Sequence, residues 1–236
     1  MSSIEIITLL CSLPAALFAL SFHEFSHGLA AHWLGDDTAK NAGRLSLNPL
    51  RHLDPFGVIC MLLFHFGWAK PVPVSAYKFK KPKRDMALTA LAGPIANLLL
   101  ALVGVFVFAV VTTHLEVEEV GGMIYYYEDK EWQLAIYLVL QMFYTLNLTL
   151  AIFNFLPIPP LDGSRIFLSF LPDRLYFKVM KYERKILLGV FIYFIACRAA
   201  KSFFHLDIDF ISRFISFLIF YVEKGLFFLV KLLPFV

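Results

Sequence analysis

The chain contains two long stretches without a charged side chain, and they restrict it to folds that place helices in a membrane. Met86–Thr113 runs for 28 residues and Trp132–Leu156 for 25 residues without an Asp, Glu, Lys or Arg. About 20 consecutive apolar residues are enough for a helix to cross the hydrocarbon core of a bilayer. The composition agrees, because 59% of the residues are hydrophobic, more than a soluble domain normally contains. The sequence therefore predicts an all-α polytopic membrane protein.

Three further apolar stretches bring the expected number of transmembrane helices to about four to six. Ile6–Gly35 is long enough to cross. Ile186–Ala200 is short for a crossing, and Phe210–Val230 is interrupted by charged residues, so the latter spans the membrane or lies at its interface. Pro55–Ala69 would measure only about 22 Å as a helix. It is therefore predicted to form a re-entrant or membrane-associated element that returns to the side it came from.

The charges of the connecting loops predict the orientation of the chain. Residues 70–85 carry six basic side chains and one acidic one, and residues 157–185 also carry six basic ones. Residues 114–131, between them, carry six acidic side chains and one lysine. By the positive-inside rule the two basic loops are cytoplasmic and the acidic loop is external. We expect a multi-pass protein of a prokaryotic cell membrane, with the N-terminus outside and the first helix running inward.

Two short segments after the first apolar stretch show a different pattern. Gly43–Leu47 and Pro71–Tyr77 alternate polar and apolar residues and are bounded by Gly, Pro and Asn. This pattern predicts short β-strands at the cytoplasmic end of the helices, with ordinary connecting loops as the alternative.

The first apolar stretch carries the residues most indicative of chemistry, His23-Glu24-Phe25-Ser26-His27. Two histidines four apart on a helix lie about 40° apart around its axis, so both imidazoles can bind one ion. HExxH is the spacing of zinc metalloproteases, in which the intervening carboxylate acts as general base. A chance match is the alternative. However, an ionisable residue at membrane depth costs about 2.5–3.5 kcal/mol on insertion scales, so three titratable groups in one apolar helix favour a metal site.

A catalytic zinc site commonly has three protein ligands, which leaves one ligand to find. Asp162 is the best candidate, because the predicted topology brings the end of Trp132–Leu156 and the end of the first helix to the same side of the membrane. The alternative for Asp162 is a turn residue, since Asp-Gly after prolines is a common turn signal. Asn154 could donate to an oxyanion or hold a substrate backbone, or it could make an interhelical hydrogen bond.

The second long apolar stretch begins with a spacing typical of helix contacts. Gly93, Asn97 and Ala101 recur every four residues. This spacing allows close approach of a second helix, with the Asn97 amide as an interhelical hydrogen-bonding group. We predict a structural role for Asn97 first and a catalytic one second.

The order of these motifs resembles that of the site-2 protease family of intramembrane zinc metalloproteases, in the short form without PDZ or CBS domains. The resemblance is carried by HExxH, by Gly-Pro-x-x-Asn at residues 93–97, and by three longer segments. Those segments are Gly43–Gly57, Gly67–Val74 and the run Asn-x-x-Pro-x-Pro-Pro-Leu-Asp-Gly at 154–163. The residues after Arg165 match no motif of the family.

The resemblance implies a ligand set, a reaction and a substrate class. His23, His27 and Asp162 would bind one Zn²⁺ per chain, Glu24 would be the general base, and Asn154 would position the substrate or the transition state. The substrate would be a transmembrane protein or peptide cleaved near the cytosolic face, after local unwinding and with possible addition to an edge strand.

We expect a single integral membrane domain over residues 1–236, with a catalytic core at 4–165 and C-terminal helices of unknown role at 166–236. The lipid bilayer is the other expected partner. The net charge of +3 is modest and its positive residues lie in loops, so nucleic-acid binding is not indicated. Two alternative functions remain at this stage: a membrane metal-binding or transport protein, and a catalytically silent scaffold.

Overall fold

The fold is almost entirely helical. The computed structural model describes residues 3–54, 57, 70–120, 123–126, 130–206 and 208–233. Between Val117 and Tyr126 lies one antiparallel hairpin, β1 (Val117–Val120) and β2 (Met123–Tyr126). The α-helices of the described residues are α1 Ser3–Trp33, α2 Thr38–Asn41, α3 Pro82–Thr112, α4 Glu131–Asn154, α5 Asp162–Leu168, α6 Asp173–Lys181, α7 Glu183–Phe204 and α8 Phe210–Lys231.

The apolar stretches of the sequence are the long helices of the structure, and the predicted all-α membrane class is confirmed. Among the residues that the structure describes, three helices are long and apolar enough to cross a membrane: Pro82–Thr112, Glu131–Asn154 and Glu183–Phe203. All three begin one to four residues before the corresponding apolar stretch of the sequence, because charged side chains are tolerated at the ends of a membrane helix, where they reach the interface. The first of them begins at Pro82, whose missing N–H costs nothing in the first turn.

The core of the protein lies where α1, α3 and α4 pack together. Val105 of α3 and Leu148 of α4 have no exposed surface. The ring of Phe108 meets that of Tyr144 edge to face, with centroids 5.2 Å apart, an arrangement that aromatic pairs prefer. Helix α8 covers this cluster through Phe227, whose ring centroid lies 5.7 Å from that of Tyr144. These helices therefore form one packed unit that holds the first helix in place.

Helix α7 is the least buried of the three membrane-length helices in the described residues, and its apolar side chains remain exposed. Leu188, Phe191 and Ile195 are 58%, 51% and 54% exposed. In water such a surface would be unfavourable, whereas in a bilayer it faces lipid at no cost. The exposure agrees with a helix in the membrane.

The prediction of short β-strands at Gly43–Leu47 and Pro71–Tyr77 is wrong. The first segment forms a turn and loop, and the second is an extended loop that ends in a single 3-10 turn. Pro71 and Pro73 have no N–H to donate to a neighbouring strand. The hairpin lies instead in the acidic loop, where Val-Glu-Glu-Val and Met-Ile-Tyr-Tyr flank Gly-Gly in the sequence, a pair of residues typical of a hairpin turn. The predicted element at 55–69 lies outside the described residues, except for Gly57.

In the described residues this extended loop is held by one backbone hydrogen bond, from the Lys70 N–H to the carbonyl oxygen of His52 over 2.8 Å, and by several side chains. The Ser75 N–H donates to Asp36 Oδ2 over 2.6 Å, and the Val72 N–H donates to Glu24 Oε2 over 2.7 Å. At the start of the loop, Arg44 Nη2 donates to the carbonyl oxygen of Lys70 over 2.6 Å. The loop is thus fixed against the end of α1 at several points.

Asp36 is the most buried of these anchors. Its carboxylate has no exposed surface and also accepts hydrogen bonds from the backbone N–H and the hydroxyl of Thr38. Burial alone would raise the pKa of this carboxyl, but the donors of Ser75 and Thr38 and the charge of Lys78 outweigh it and hold the pKa below its usual value. The carboxylate form of Asp36 therefore stabilises the fold.

Replacing Asp36 by asparagine is expected to lower the free energy of unfolding by about 1–3 kcal/mol, because the amide leaves buried donors without an acceptor. Hydrogen–deuterium exchange should accelerate at residues 70–78. Because the pKa is lowered in the folded protein, the contribution is complete above the ordinary aspartate pKa of about 3.9 and is lost as the pH falls below it. The difference between the two proteins should therefore disappear in acid.

Asp37→Asn is the matched control for this experiment. Asp37 is exposed and its carboxylate pairs with His32 at 2.5 Å on the surface, so its loss should change stability by less than about 0.5 kcal/mol. Equal effects of the two substitutions would contradict the assignment of Asp36 as the anchor of the loop.

Candidate metal centre

The first helix and the chain after the fourth helix bring three ligand-type side chains together. His23 Nε2 and His27 Nε2 lie 2.9 Å apart on successive turns of α1. Asp162 Oδ2, at the start of α5, lies 3.0 Å from His23 Nε2 and 3.2 Å from His27 Nε2. The structure therefore brings Asp162 next to the histidine pair. In the described part of the chain these residues form the one group of three or more His, Cys, Asp or Glu able to hold a metal ion.

The three atoms fit a zinc ion. Zinc at about 2.0–2.1 Å from each ligand in tetrahedral geometry separates the ligand atoms by about 3.3 Å. The observed separations of 2.9–3.2 Å are slightly smaller, so a small outward movement would admit the ion. Two imidazole nitrogens and one carboxylate oxygen are a donor set of catalytic zinc sites, which keep a fourth position open.

The environment of Asp162 favours its anionic form. Burial works to raise the pKa of the carboxyl, but hydrogen bonds and charge from His23 and His27 lower it well below its usual range. The histidines themselves are 5% and 9% exposed. A carboxylate facing two buried imidazoles is the charge arrangement that a divalent cation requires.

Each histidine is oriented through its other ring nitrogen. His27 Nδ1 lies 2.7 Å from the backbone carbonyl oxygen of Thr89, and His23 Nδ1 lies 2.6 Å from Asn97 Oδ1. Both partners are oxygens that can only accept, so both Nδ1 atoms carry a proton and donate it. In a neutral imidazole each Nε2 is then unprotonated and can bind a metal ion, whereas a proton on Nε2 would be donated to Asp162.

Helix α3 passes the pair at Gly93. A Cβ at this position would lie 2.5 Å from His27 Nε2 and 2.6 Å from His23 Cε1. Real Cβ contacts are not this short, so only glycine fits between the helix and the two rings. The spacing of Gly93, Asn97 and Ala101 predicted a helix contact, and the structure shows that the contact is made on the histidine pair.

Glu24 lies beside the pair without joining the three-residue group. Its Oε2 accepts the hydrogen bond from Val72 N–H, and its side chain is partly exposed. It is therefore fixed through one oxygen and reachable from the loop side.

Asn154 makes a different contact from the one predicted. Its Nδ2 donates over 3.1 Å to the carbonyl oxygen of Leu150, one turn earlier in α4. That contact contains no residue of the metal-binding group. The role of Asn154 in substrate or transition-state binding stays a prediction.

Sequence reasoning missed Thr89 and underestimated Asn97. Thr89 contributes through its backbone carbonyl, which every residue type possesses, so no sequence signal could have found it. Asn97 was predicted as an interhelical hydrogen-bonding group, and it is fully buried at such a contact. The spacing of Gly93, Asn97 and Ala101 allows α3 to approach another helix closely. Had that helix been identified as α1, Asn97 would have been a candidate hydrogen-bonding partner for His23.

Comparison with known proteins gives a consistent result. The model of peptidase family M50 matches residues 13–197. YwhC of Bacillus subtilis (strain 168), a candidate zinc metalloprotease by its name, is 40% identical over 171 residues, which cover 71% of this chain and 72% of YwhC. No solved structure matches the chain.

More distant similarity extends to Rip2 of two mycobacteria, also named as a candidate zinc metalloprotease. The Mycolicibacterium smegmatis protein is 33% identical over 90 residues, which cover 36% of this chain and 35% of that protein. The Mycobacterium tuberculosis (strain H37Rv) protein is 28% identical over 151 residues, which cover 62% of this chain and 52% of that protein. With the family model matching well over half of its length, the chain belongs to peptidase family M50, the site-2 protease family of zinc metalloproteases.

Proposed function

We propose that this protein hydrolyses peptide bonds within or next to transmembrane segments of other membrane proteins, close to the cytosolic face. The observation that carries the proposal is the convergence of His23, His27 and Asp162 to within 3.2 Å of one another, on helices that pack with membrane-length neighbours. If a hydrolytic metal site lies within the membrane-spanning part of the protein, the nearest peptide bonds of other proteins are those in or next to their transmembrane segments. The biological outcome would be regulated intramembrane proteolysis or the clearance of membrane-bound remnants.

We assign His23, His27 and Asp162 as the ligands of one Zn²⁺ ion. When bound there, Zn²⁺ polarises the scissile carbonyl and lowers the pKa of a water molecule to about 7. The two imidazoles and the carboxylate would hold the ion. The protons on both Nδ1 atoms, fixed by Thr89 and Asn97, keep the ligand nitrogens available.

We assign Glu24 as the general base and then the general acid. It accepts a proton from the attacking water and passes it to the nitrogen of the leaving amine, so that it ends each cycle as a carboxylate. The Val72 N–H binds Oε2, and Oε1 is the oxygen that we assign as proton acceptor. Asn154 is proposed to position the substrate, after a rotation that releases its bond to Leu150.

The cytosolic position is supported by the loops around the site. His27 lies six residues before the end of α1 at Trp33, about 9 Å along the helix axis. The loop that binds Glu24 belongs to the basic segment 70–85, which the positive-inside rule assigns to the cytoplasm. Water would reach the site from this side. The acidic hairpin at 117–126 would lie on the external side.

The state of the substrate follows from the chemistry of peptide bonds in a membrane. A transmembrane helix hides each scissile carbonyl in an internal hydrogen bond, so the substrate must unwind locally before attack. Glycine, proline or asparagine near the cytosolic end of the substrate helix lowers the cost of unwinding. We therefore expect such substrates to be cleaved faster than an uninterrupted leucine helix.

Zinc removal and return tests the proposal directly. The purified protein in proteoliposomes should cleave a single-span substrate with a Gly-Pro pair near the cytosolic end, lose this activity on treatment with a zinc chelator, and regain it with Zn²⁺ but not with Mg²⁺. The control substrate carries leucine in place of the Gly-Pro pair and should be cleaved more slowly. Cleavage at an unchanged rate by protein shown to contain no zinc would contradict the proposal.

A further inference from the structure

We propose that Asn147 and Asn97 form a relay that fixes the tautomer of His23 and thereby keeps its Nε2 free to bind the metal. The inference rests on the proposed function in one respect, the assignment of His23 as a zinc ligand. Neither asparagine touches the other two assigned ligands or Glu24 in any described hydrogen bond. Both are positioning residues that act through His23.

The relay begins at a backbone carbonyl of α4. Asn147 Nδ2 donates over 2.8 Å to the carbonyl oxygen of Phe143. A backbone carbonyl only accepts, so this contact requires the NH₂ of Asn147 on that side and its Oδ1 on the other. Asn147 has no exposed surface, and a reversed amide would place two oxygens against each other away from bulk water.

The second step is Asn97, on the neighbouring helix α3. Its Nδ2 donates both protons, one to Asn147 Oδ1 over 2.9 Å and one to the carbonyl oxygen of Ala19 over 3.1 Å. Reversing this amide would lose both bonds and bring its oxygen against two acceptors. Oδ1 of Asn97 must therefore face His23 Nδ1, which it meets at 2.6 Å.

The last step sets the proton on the imidazole. Because Asn97 Oδ1 only accepts, a neutral His23 must carry its proton on Nδ1 and leave Nε2 unprotonated. The opposite tautomer would place a proton where the metal binds and two lone pairs at 2.6 Å from each other. Asn147 thus acts on His23 from another helix, through Asn97.

A purely structural role for the two asparagines is the competing explanation, because buried amides also join membrane helices. The two explanations differ in what they predict for an aspartate at position 97. A buried carboxylate there lacks the two donated hydrogen bonds and should destabilise the fold more than leucine does. It still accepts the proton of His23 Nδ1, as carboxylates do in many metal sites, and should preserve zinc binding.

Zinc affinity, measured by competition with a chelator, is the first test. Asn97→Leu should weaken binding by about 10–100-fold, the usual cost of losing an outer partner of a metal-binding histidine. Asn147→Leu should weaken it by about tenfold, and Asn97→Asp should bind within a fewfold of the wild type although it unfolds at a lower temperature. Thr149→Val, on the same helix, is the matched control and should leave the affinity unchanged. Zinc affinities that follow thermal stability across all variants would overturn the relay.

The tautomer itself is the second test, and its main readout comes from the wild-type protein. In metal-free wild-type protein labelled with ¹⁵N-histidine, His23 Nδ1 should carry a proton that is hydrogen-bonded to Asn97 Oδ1. The resonance is assigned by its loss in His23→Gln. In Asn147→Leu the second tautomer should become populated. A wild-type His23 without a proton on Nδ1 would overturn the relay, whereas the proposed protease activity is tested by cleavage and stands or falls separately.

Discussion

Replacing Glu24 by glutamine is expected to lower the rate of substrate cleavage by about 10²–10⁴-fold, the usual contribution of general acid–base catalysis. Glutamine has the size of glutamate but cannot accept a proton from water near neutral pH. The Gln side-chain oxygen can still accept the hydrogen bond that Val72 N–H donates to Glu24. The loop at 70–75 should therefore remain in place and the loss should be confined to catalysis.

Zinc content separates this loss from damage to the site. Glu24 does not belong to the group formed by His23, His27 and Asp162, so Glu24→Gln should bind one zinc per chain as the wild type does. Glu131→Gln, an exposed position in the first turn of α4, is the matched control and should retain full activity. A Glu24→Gln protein that cleaves at the wild-type rate would end the assignment of Glu24 as general base.

The same variant identifies the substrate in cells. Membranes of host cells that express Glu24→Gln in place of the wild-type protein should accumulate one or a few single-span proteins or membrane-bound stubs, detected by quantitative proteomics at equal expression. The accumulated proteins would be the substrates. An unchanged membrane proteome across several growth conditions would favour metal binding or a scaffold role over proteolysis.

The long helices and the three ligand-type residues could be predicted from sequence. The features that indicate them are either close together in the chain or follow from the order and charge of the loops. His23 and His27 are linked by one turn of helix, and uncharged length identifies helices in a chain of this composition. Asp162 is 139 residues from His23, yet the charge of the loops places both at one end of the helices. In these cases a pattern in the chain determines the geometry.

The remaining contacts depend on tertiary structure that no pattern encodes. Thr89 orients His27 with a carbonyl oxygen, so its side chain leaves no trace in the sequence. The loop at 71–75 alternates like a strand, but its N–H groups are bound by the carboxylates of Glu24 and Asp36. Alternation indicates an extended backbone and does not identify its hydrogen-bonding partner, which explains why the predicted strands are wrong.

Gly93→Ala is expected to remove zinc from the protein, with a loss of affinity of at least about 100-fold and loss of cleavage. Alanine is favoured over glycine in a helix by about 1 kcal/mol, so the backbone itself would gain stability. The added methyl carbon would lie 2.5 Å from His27 Nε2 and 2.6 Å from His23 Cε1. Either α3 or the imidazoles must move, and overpacking of this kind costs about 1–3 kcal/mol.

Two other glycines serve as controls for this experiment. Gly104 lies on the same helix as Gly93, about 16 Å away along the axis, and Gly104→Ala would crowd Tyr144 of α4. This variant should lower stability but keep zinc. Gly225→Ala in α8 meets nothing within 4 Å and should be neutral or slightly stabilising. Zinc content and thermal unfolding would be measured for all three variants. Because Gly93→Ala and Gly104→Ala both crowd α3, selective loss of zinc in the first would locate the metal on the histidine pair, and retention of zinc there would contradict the ligand assignment.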